Sequence, residues 1–224
     1  MKPYRYLLLD FDNTLVNFTE TERIALCLTF KHLFSRSLTD EEVHCYNAIN
    51  RTYWEKLERR EVTKDQLKDV RMRDFSEKLG IKDVDTTVVN LDYMNNLAHT
   101  IVEYPESFEA CKKLAEHYIL YIITNGTDYI QHSRLEGTSF FPYISDIFIS
   151  DEIGVNKPAP EFFDAIVRKT GDRDLSHYLV VGDSLTSDIL FGKNIGVDTC
   201  YVGNKDCDAD YRILDISELP GILM

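Results

Sequence analysis

The sequence predicts an α/β fold: a doubly wound parallel sheet carrying an inserted α-helical subdomain. Three observations support this. Short, nearly continuous apolar runs recur along the chain, stretches with helical periodicity separate them, and one long charged segment interrupts the alternation. Apolar runs of four to eight residues suit strands buried on both faces, and strands that alternate with helices build a parallel sheet.

The first run, Tyr4 to Asp10 (YRYLLLD), ends in a carboxylate. Four more follow: Tyr118 to Thr124 (YILYIIT), Ile144 to Ser150 (ISDIFIS), Tyr178 to Asp183 (YLVVGD) and Val197 to Val202 (VDTCYV). Helical periodicity covers Glu106 to His117, Tyr129 to Glu136, Glu161 to Thr170 and Ser187 to Ile195, with Pro or Ser/Thr at several starts and Gly at several ends.

From Thr19 to Ile101 the sequence reads as helices without a clear strand. Thr39 with Glu42, and Thr63 with Gln66, each have the spacing of a capping box, which satisfies free N–H groups at a helix start. The predicted organisation is a core of residues 1–18 and 102–224 and a helical cap of residues 19–101. Hinges are expected near Leu15 to Thr19 and Val102 to Pro105.

At 224 residues the chain is long enough for such a core. Its net charge of −13 and the lack of a basic cluster argue against nucleic-acid polymers as partners. A small phosphate ester stays compatible, because a lysine, backbone amides and a bound cation reverse the potential locally. Five cysteines without CxxC spacing indicate neither a disulfide framework nor a zinc site, so a reducing cytoplasm is expected. No signal peptide and no membrane span are read. The histidines lack HxxxH and HExxH spacing, and GxxxxGK[ST] and GxGxxG are absent.

The polar residues of interest fall at the carboxyl ends of the predicted strands, where such sheets gather functional groups. Asp10-Phe11-Asp12-Asn13-Thr14 places two carboxylates one residue apart as the first strand ends. Thr124-Asn125-Gly126 offers a hydroxyl, an amide and a glycine that lets backbone approach an anion. Lys157 stands in Asn156-Lys157-Pro158-Ala159-Pro160, ahead of a proline-started helix, and Gly182-Asp183-Ser184-Leu185-Thr186-Ser187-Asp188 follows a later strand. Singly, each is also what an ordinary turn, cap or surface lysine looks like. In this order and at these places, four independent turns would not need that chemistry.

Taken together, DFDNT, TNG, the lysine of NKPAP, and GDSLTSD resemble the four motifs of the haloacid dehalogenase (HAD) superfamily, whose core is Rossmann-like. The resemblance covers essentially the whole chain, with residues 19–101 matching the helical cap. It implies that Asp10 is the nucleophile, forming an aspartyl-phosphate, and that Asp12 is the acid and then the base. Thr124, Asn125, Gly126 and Lys157 bind the phosphoryl group. It also implies Mg²⁺ held by Asp10, Asp183 and the backbone carbonyl of Asp12, with Asp188 supporting the metal waters and Lys157. Two-step displacement through a carboxylate, with one group serving as acid and then base, is chemically sound.

Asp12 favours phosphate chemistry over halide release, because a carbon–halogen bond needs no protonated leaving oxygen. Phosphatase or phosphomutase action on sugar phosphates and a non-catalytic binding protein stay as alternatives. The run GDSLTSDILFGKNIGVDTCYVGN, with TNG and NKPAPEFF, resembles the pyrimidine 5′-nucleotidase branch, which implies a nucleoside monophosphate as the small-molecule substrate. Two departures from that branch are the lack of a further acidic residue in DFDNT and Phe191-Gly192 in place of two glycines. Tyr53 and Trp54 are expected to pack within the helical bundle, with stacking on an aromatic substrate as the other role open to them.

Overall fold

The computed structural model describes residues 2–59 and 61–224. Its centre is a parallel sheet of β1 (Tyr6–Leu9), β2 (Ile119–Thr124), β3 (Ile144–Ile149), β4 (Tyr178–Gly182), β5 (Asp198–Val202) and β6 (Tyr211–Ile213). The spatial order is β3-β2-β1-β4-β5-β6. The helices are α1 (Phe18–Phe34), α2 (Asp40–Glu58), α3 (Lys64–Lys78), α4 (Thr86–Ala98), α5 (Ser107–Ala115), α6 (Asp128–Glu136), α7 (Ser150–Ile153), α8 (Glu161–Thr170), α9 (Leu190–Ile195) and α10 (Leu219–Leu223). The α/β doubly wound class is the one expected.

Each of the five apolar runs forms a strand. β6 was not expected, because YRI is only three residues long with an arginine at its centre; it gains its place by pairing with β5, Cys200 opposite Tyr211 and Val202 opposite Ile213. From β1 the chain winds outward through β2 and β3 on one side, then through β4, β5 and β6 on the other. The direction reverses between β1 and β4, which opens a crevice outside their carboxyl ends.

Successive side chains along β1 point to opposite faces, and both faces are covered. Leu7 and Leu9 pack with Leu120, Ile122, Leu179 and Val181 against Leu114 of α5 and Leu219 and Leu223 of α10. Tyr6 and Leu8 pack with Tyr121, Ile123 and Val180 against Phe162, Phe163 and Ile166 of α8 and Phe191 of α9. Leu7, Leu8 and Leu9 are fully buried, each worth roughly 1.5–3 kcal/mol. This is why β1 reads as a continuous apolar run.

The chain divides into two compact units, one running up to Phe18 and resuming over Ile101–Met224, the other Thr19–Thr100. In the helical unit both capping boxes form: Thr39 with Glu42 opens α2, and Thr63 with Gln66 opens α3. The buried Glu22 of α1 accepts from Asn50 Nδ2 (2.6 Å) and Tyr93 Oη (3.0 Å), while Arg71 Nη1 donates to Asn50 Oδ1 (3.1 Å). Tyr53 is half-buried and donates to Asp74 Oδ2 at 2.5 Å, with Lys56 Nζ over its ring. Among the described residues no helix is long and apolar enough to cross a membrane.

Candidate active site

Three strand ends and one loop converge. Asp10 follows β1, with its N–H on Val181 O at 2.8 Å. Thr124 closes β2 and Asp183 follows Gly182 of β4. After Asp10 the chain turns tightly: Asn13 takes a left-handed φ of 61°, and the N–H groups of Leu15 and Val16 both return to Phe11 O. Asn and Asp tolerate that conformation better than most residues, which suits Asn13 to this position.

Lys157 is buried at the centre. Its three ammonium hydrogens have three acceptors: Asp10 Oδ1 at 2.8 Å, Asp188 Oδ1 at 2.6 Å and Ile123 O at 2.8 Å. Asp188 Oδ2 accepts from Ser184 N–H at 3.0 Å. A Cβ on Gly182 would lie 2.2 Å from that oxygen, so only glycine lets the carboxylate sit there. Asp188 is carried by a π-type turn over Leu185–Ile189 in which Ile189 N–H reaches Ser184 O and Leu190 N–H reaches Leu185 O. The sequence predicts an ordinary helix from Ser187; the wider turn is the observed form.

Burial pushes the Asp10 carboxyl well above the ordinary carboxylate range; Asp188 adds to this, Lys157 opposes it, and Asp183 adds again. Burial, then Asp188, pushes Asp183 up to about 7 against the pull of Lys157. For Lys157 burial would lower the value, but Asp10 and Asp188 outweigh it and hold the ammonium charged. Asp10, Asp183 and Asp188 each bring an oxygen within 4.8 Å of the others. Three carboxylates against one ammonium leave an excess of two negative charges when all are ionised. One divalent ion cancels that excess, and an all-oxygen donor set suits Mg²⁺.

The Asn125 side chain ties the end of β2 to the loop that carries Lys157. Its amide clamps the Lys157 backbone, donating to Lys157 O and accepting from Lys157 N–H, both at 2.8 Å, and it donates to Ser187 Oγ at 3.2 Å. Thr124 Oγ1 accepts from Gly126 N–H (3.1 Å) and Gln131 Nε2 (2.7 Å). The Asp12 side chain does not join the three clustered carboxylates: Gln131 Nε2 donates to its Oδ2 at 2.8 Å and Arg134 Nη1 to its Oδ1 at 2.7 Å. Sequence reasoning missed Gln131 and Arg134. They lie three apart on α6, on one helix face, but nothing local ties them to Asp12, more than 110 positions away.

Beside Asp183 lies a cleft of about 370 Å³, lined among others by Asn13, Thr14, Tyr104, Tyr201 and Lys205.

Residues 4–196 match the family model described as haloacid dehalogenase-like hydrolase. The chain belongs to this family. It is 32% identical to the HAD-hydrolase YfnB of Bacillus subtilis (strain 168) over 100% of this chain and 97% of that protein. With the pyrimidine 5′-nucleotidase YjjG of Escherichia coli (strain K12) it shares 31% identity over 88% of this chain and 85% of the relative. The crystal structure of YfnB bound to magnesium superposes with a TM-score of 0.91 at 31% identity, covering 99% of each chain. As a HAD hydrolase, the chain falls in a family that generally uses Mg²⁺.

Proposed function

We propose that this HAD hydrolase is a Mg²⁺-dependent phosphomonoesterase acting through an aspartyl-phosphate on Asp10, and that its substrates are pyrimidine nucleoside monophosphates. The observation that carries the chemistry is the buried Lys157, bonded at once to Asp10 and Asp188 beside Asp183. Burial makes the Asp10 carboxylate a less solvated nucleophile, and Lys157 keeps its orientation fixed.

Asp10 attacks phosphorus, and the bond from phosphorus to the leaving oxygen breaks as Asp12 donates a proton to that oxygen. Water then attacks the aspartyl-phosphate and gives a proton to Asp12, which regenerates Asp10 and releases inorganic phosphate. Thr124 Oγ1 accepts two hydrogen bonds, so its own O–H is left to donate to a phosphoryl oxygen, and Lys157 adds positive charge. Asp10, Asp183 and the main-chain carbonyl of Asp12 would hold Mg²⁺, with Asp188 in support. When bound, the ion supplies the charge that stabilises the transferring phosphoryl group.

Similarity to the nucleotidase YjjG supports the substrate class. The cleft beside Asp183, with Tyr104 and Tyr201 in its lining, gives room for a leaving group. The test is kcat/KM across nucleotides and sugar phosphates with Mg²⁺ present. UMP, dUMP and dTMP are expected to lead. A sugar phosphate ahead of every pyrimidine nucleotide by tenfold, about 1.4 kcal/mol, overturns the nucleotidase assignment; no Mg²⁺-dependent hydrolysis of any ester overturns the phosphatase.

A further inference from the structure

We infer that Gln131 and Arg134 of α6 are positioning residues for catalysis, fixing at once the carboxylate of Asp12 and the direction of the Thr124 hydroxyl; this rests on the phosphatase reading above.

The hydrogen-bond inventory closes with almost no freedom. The Gln131 amide has two donor hydrogens, and Nε2 gives them to Asp12 Oδ2 (2.8 Å) and Thr124 Oγ1 (2.7 Å). Its Oε1 accepts from Arg134 Nη1 at 3.0 Å, and the same Nη1 donates to Asp12 Oδ1 at 2.7 Å. Arg134 has no acceptor atom, so Oε1 must face it and the NH₂ must face Asp12 and Thr124. A flipped amide would set Nε2 against the guanidinium. Arg134 thus decides the orientation of Gln131. Gln131 in turn makes Thr124 Oγ1 an acceptor, and together with the Gly126 N–H this leaves the threonine hydrogen for an oxygen elsewhere.

Gly126 has its place in the same device. A Cβ there would lie 2.4 Å from Gln131 Cδ and 2.5 Å from Nε2. The bare glycine is what lets the Gln131 side chain reach across to Asp12, a different reason from the anion approach read from the TNG motif.

Arg134 is a costly choice for stability alone. Its side chain is fully buried, its Nε and Nη2 find no hydrogen-bond partner among the described residues, and its guanidinium sits 5.1 Å and 5.0 Å from the ring centroids of Phe11 and Phe18. An apolar side chain would fill the same slot without leaving buried donors unpaired. What the arginine adds is a fixed cation between two rings, holding a carboxylate and an amide in register.

The test compares p-nitrophenyl phosphate, whose leaving group departs without a proton, with the alkyl phosphomonoester that leads the substrate panel. Gln131→Met and Arg134→Met should lose at least tenfold more kcat on the alkyl ester than on p-nitrophenyl phosphate, with Arg134→Lys recovering part of the loss. Gln131→Met should also raise the inhibition constant of inorganic phosphate at least threefold, because the Thr124 hydroxyl is then free to turn. Equal losses on the two esters, or none, overturn the positioning role. Crystal structures supply an arm independent of activity: the Asp12 carboxylate should leave its place in Gln131→Met, and a carboxylate that stays overturns the inference. If Arg134→Met fails to fold, Gln131→Met and Arg134→Lys carry the comparison. An inactive wild type, or an active Asp10→Asn, sinks the phosphatase reading instead, and the crystallographic arm still decides this one.

Discussion

Lys157 spends every hydrogen of its ammonium inside the protein, on two carboxylates and a carbonyl. Removing it leaves buried negative charge without its partner, whereas removing one carboxylate relieves repulsion. The two substitutions should therefore differ sharply. Lys157→Met should abolish turnover and lower stability by about 3–5 kcal/mol in urea titration, the usual consequence of breaking a buried pair. Asp10→Asn should be equally inert but no less stable in EDTA at pH 7. A carboxyl held well above its ordinary range is unfavourably ionised there, and the neutral isostere avoids that cost. Turnover by Asp10→Asn above the blank would remove Asp10 from the nucleophile role. Asp10, Asp12, Thr124 and Asp183 can be grouped from the sequence because each closes an apolar run or opens the loop behind one, whereas Lys157, beyond α7, and Asp188, five residues past Asp183, are picked out only as members of the motif set. Gln131 and Arg134 were not legible, since on a helix a glutamine and an arginine three apart look like a solvated face, and only the tertiary fold turns that face toward Asp12.

At the scale of elements, local signals were readable where they are self-contained. The capping boxes at Thr39 and Thr63 formed with both hydrogen bonds in each; Thr39→Ala should cost about 1 kcal/mol, read as a lowered urea midpoint, and an unchanged midpoint would show that the cap is idle. β6 escaped because three residues paired at a sheet edge carry no period of their own. The Phe191-Gly192 departure is a packing matter: Phe191 is fully buried, edge-on to Phe162 at 5.5 Å. The turn leading into β4 carries a pH dependence. Asp172 is held below the usual carboxylate range by the Asp174 N–H and then His177, and Asp174 by the Ser176 hydroxyl and N–H. A depressed folded value means that this stability is present above the unfolded pKa of about 3.9 and fades as pH falls through the folded value. The gap in urea midpoint between wild type and Asp174→Ala should thus narrow from pH 7 towards pH 3; a constant gap would mean that the carboxylate's charge plays no part.

At the scale of the whole molecule, an acidic chain with net charge −13 gathers three of its carboxylates into one largely buried cluster, where a bound cation would offset their mutual repulsion. Lys157, the ammonium bonded to the cluster among the described residues, is already shared between two of the acids. Binding to the folded state alone stabilises by RT ln(1 + [L]/Kd), about 2.7 kcal/mol at a hundredfold excess over Kd. At this chain length that is a rise of roughly 5–10 °C in the melting temperature of the unit holding the sheet. Mg²⁺ added after EDTA should produce that rise in wild type, restore phosphomonoester hydrolysis, and do neither in Asp183→Asn. Ca²⁺ should separate the two readouts. Its charge satisfies the carboxylates and should lift the melting temperature, but its larger, looser shell does not suit the geometry of phosphoryl transfer, so turnover should stay silent. A melting temperature indifferent to Mg²⁺ in wild type, or a shift that survives Asp183→Asn, would place the ion elsewhere.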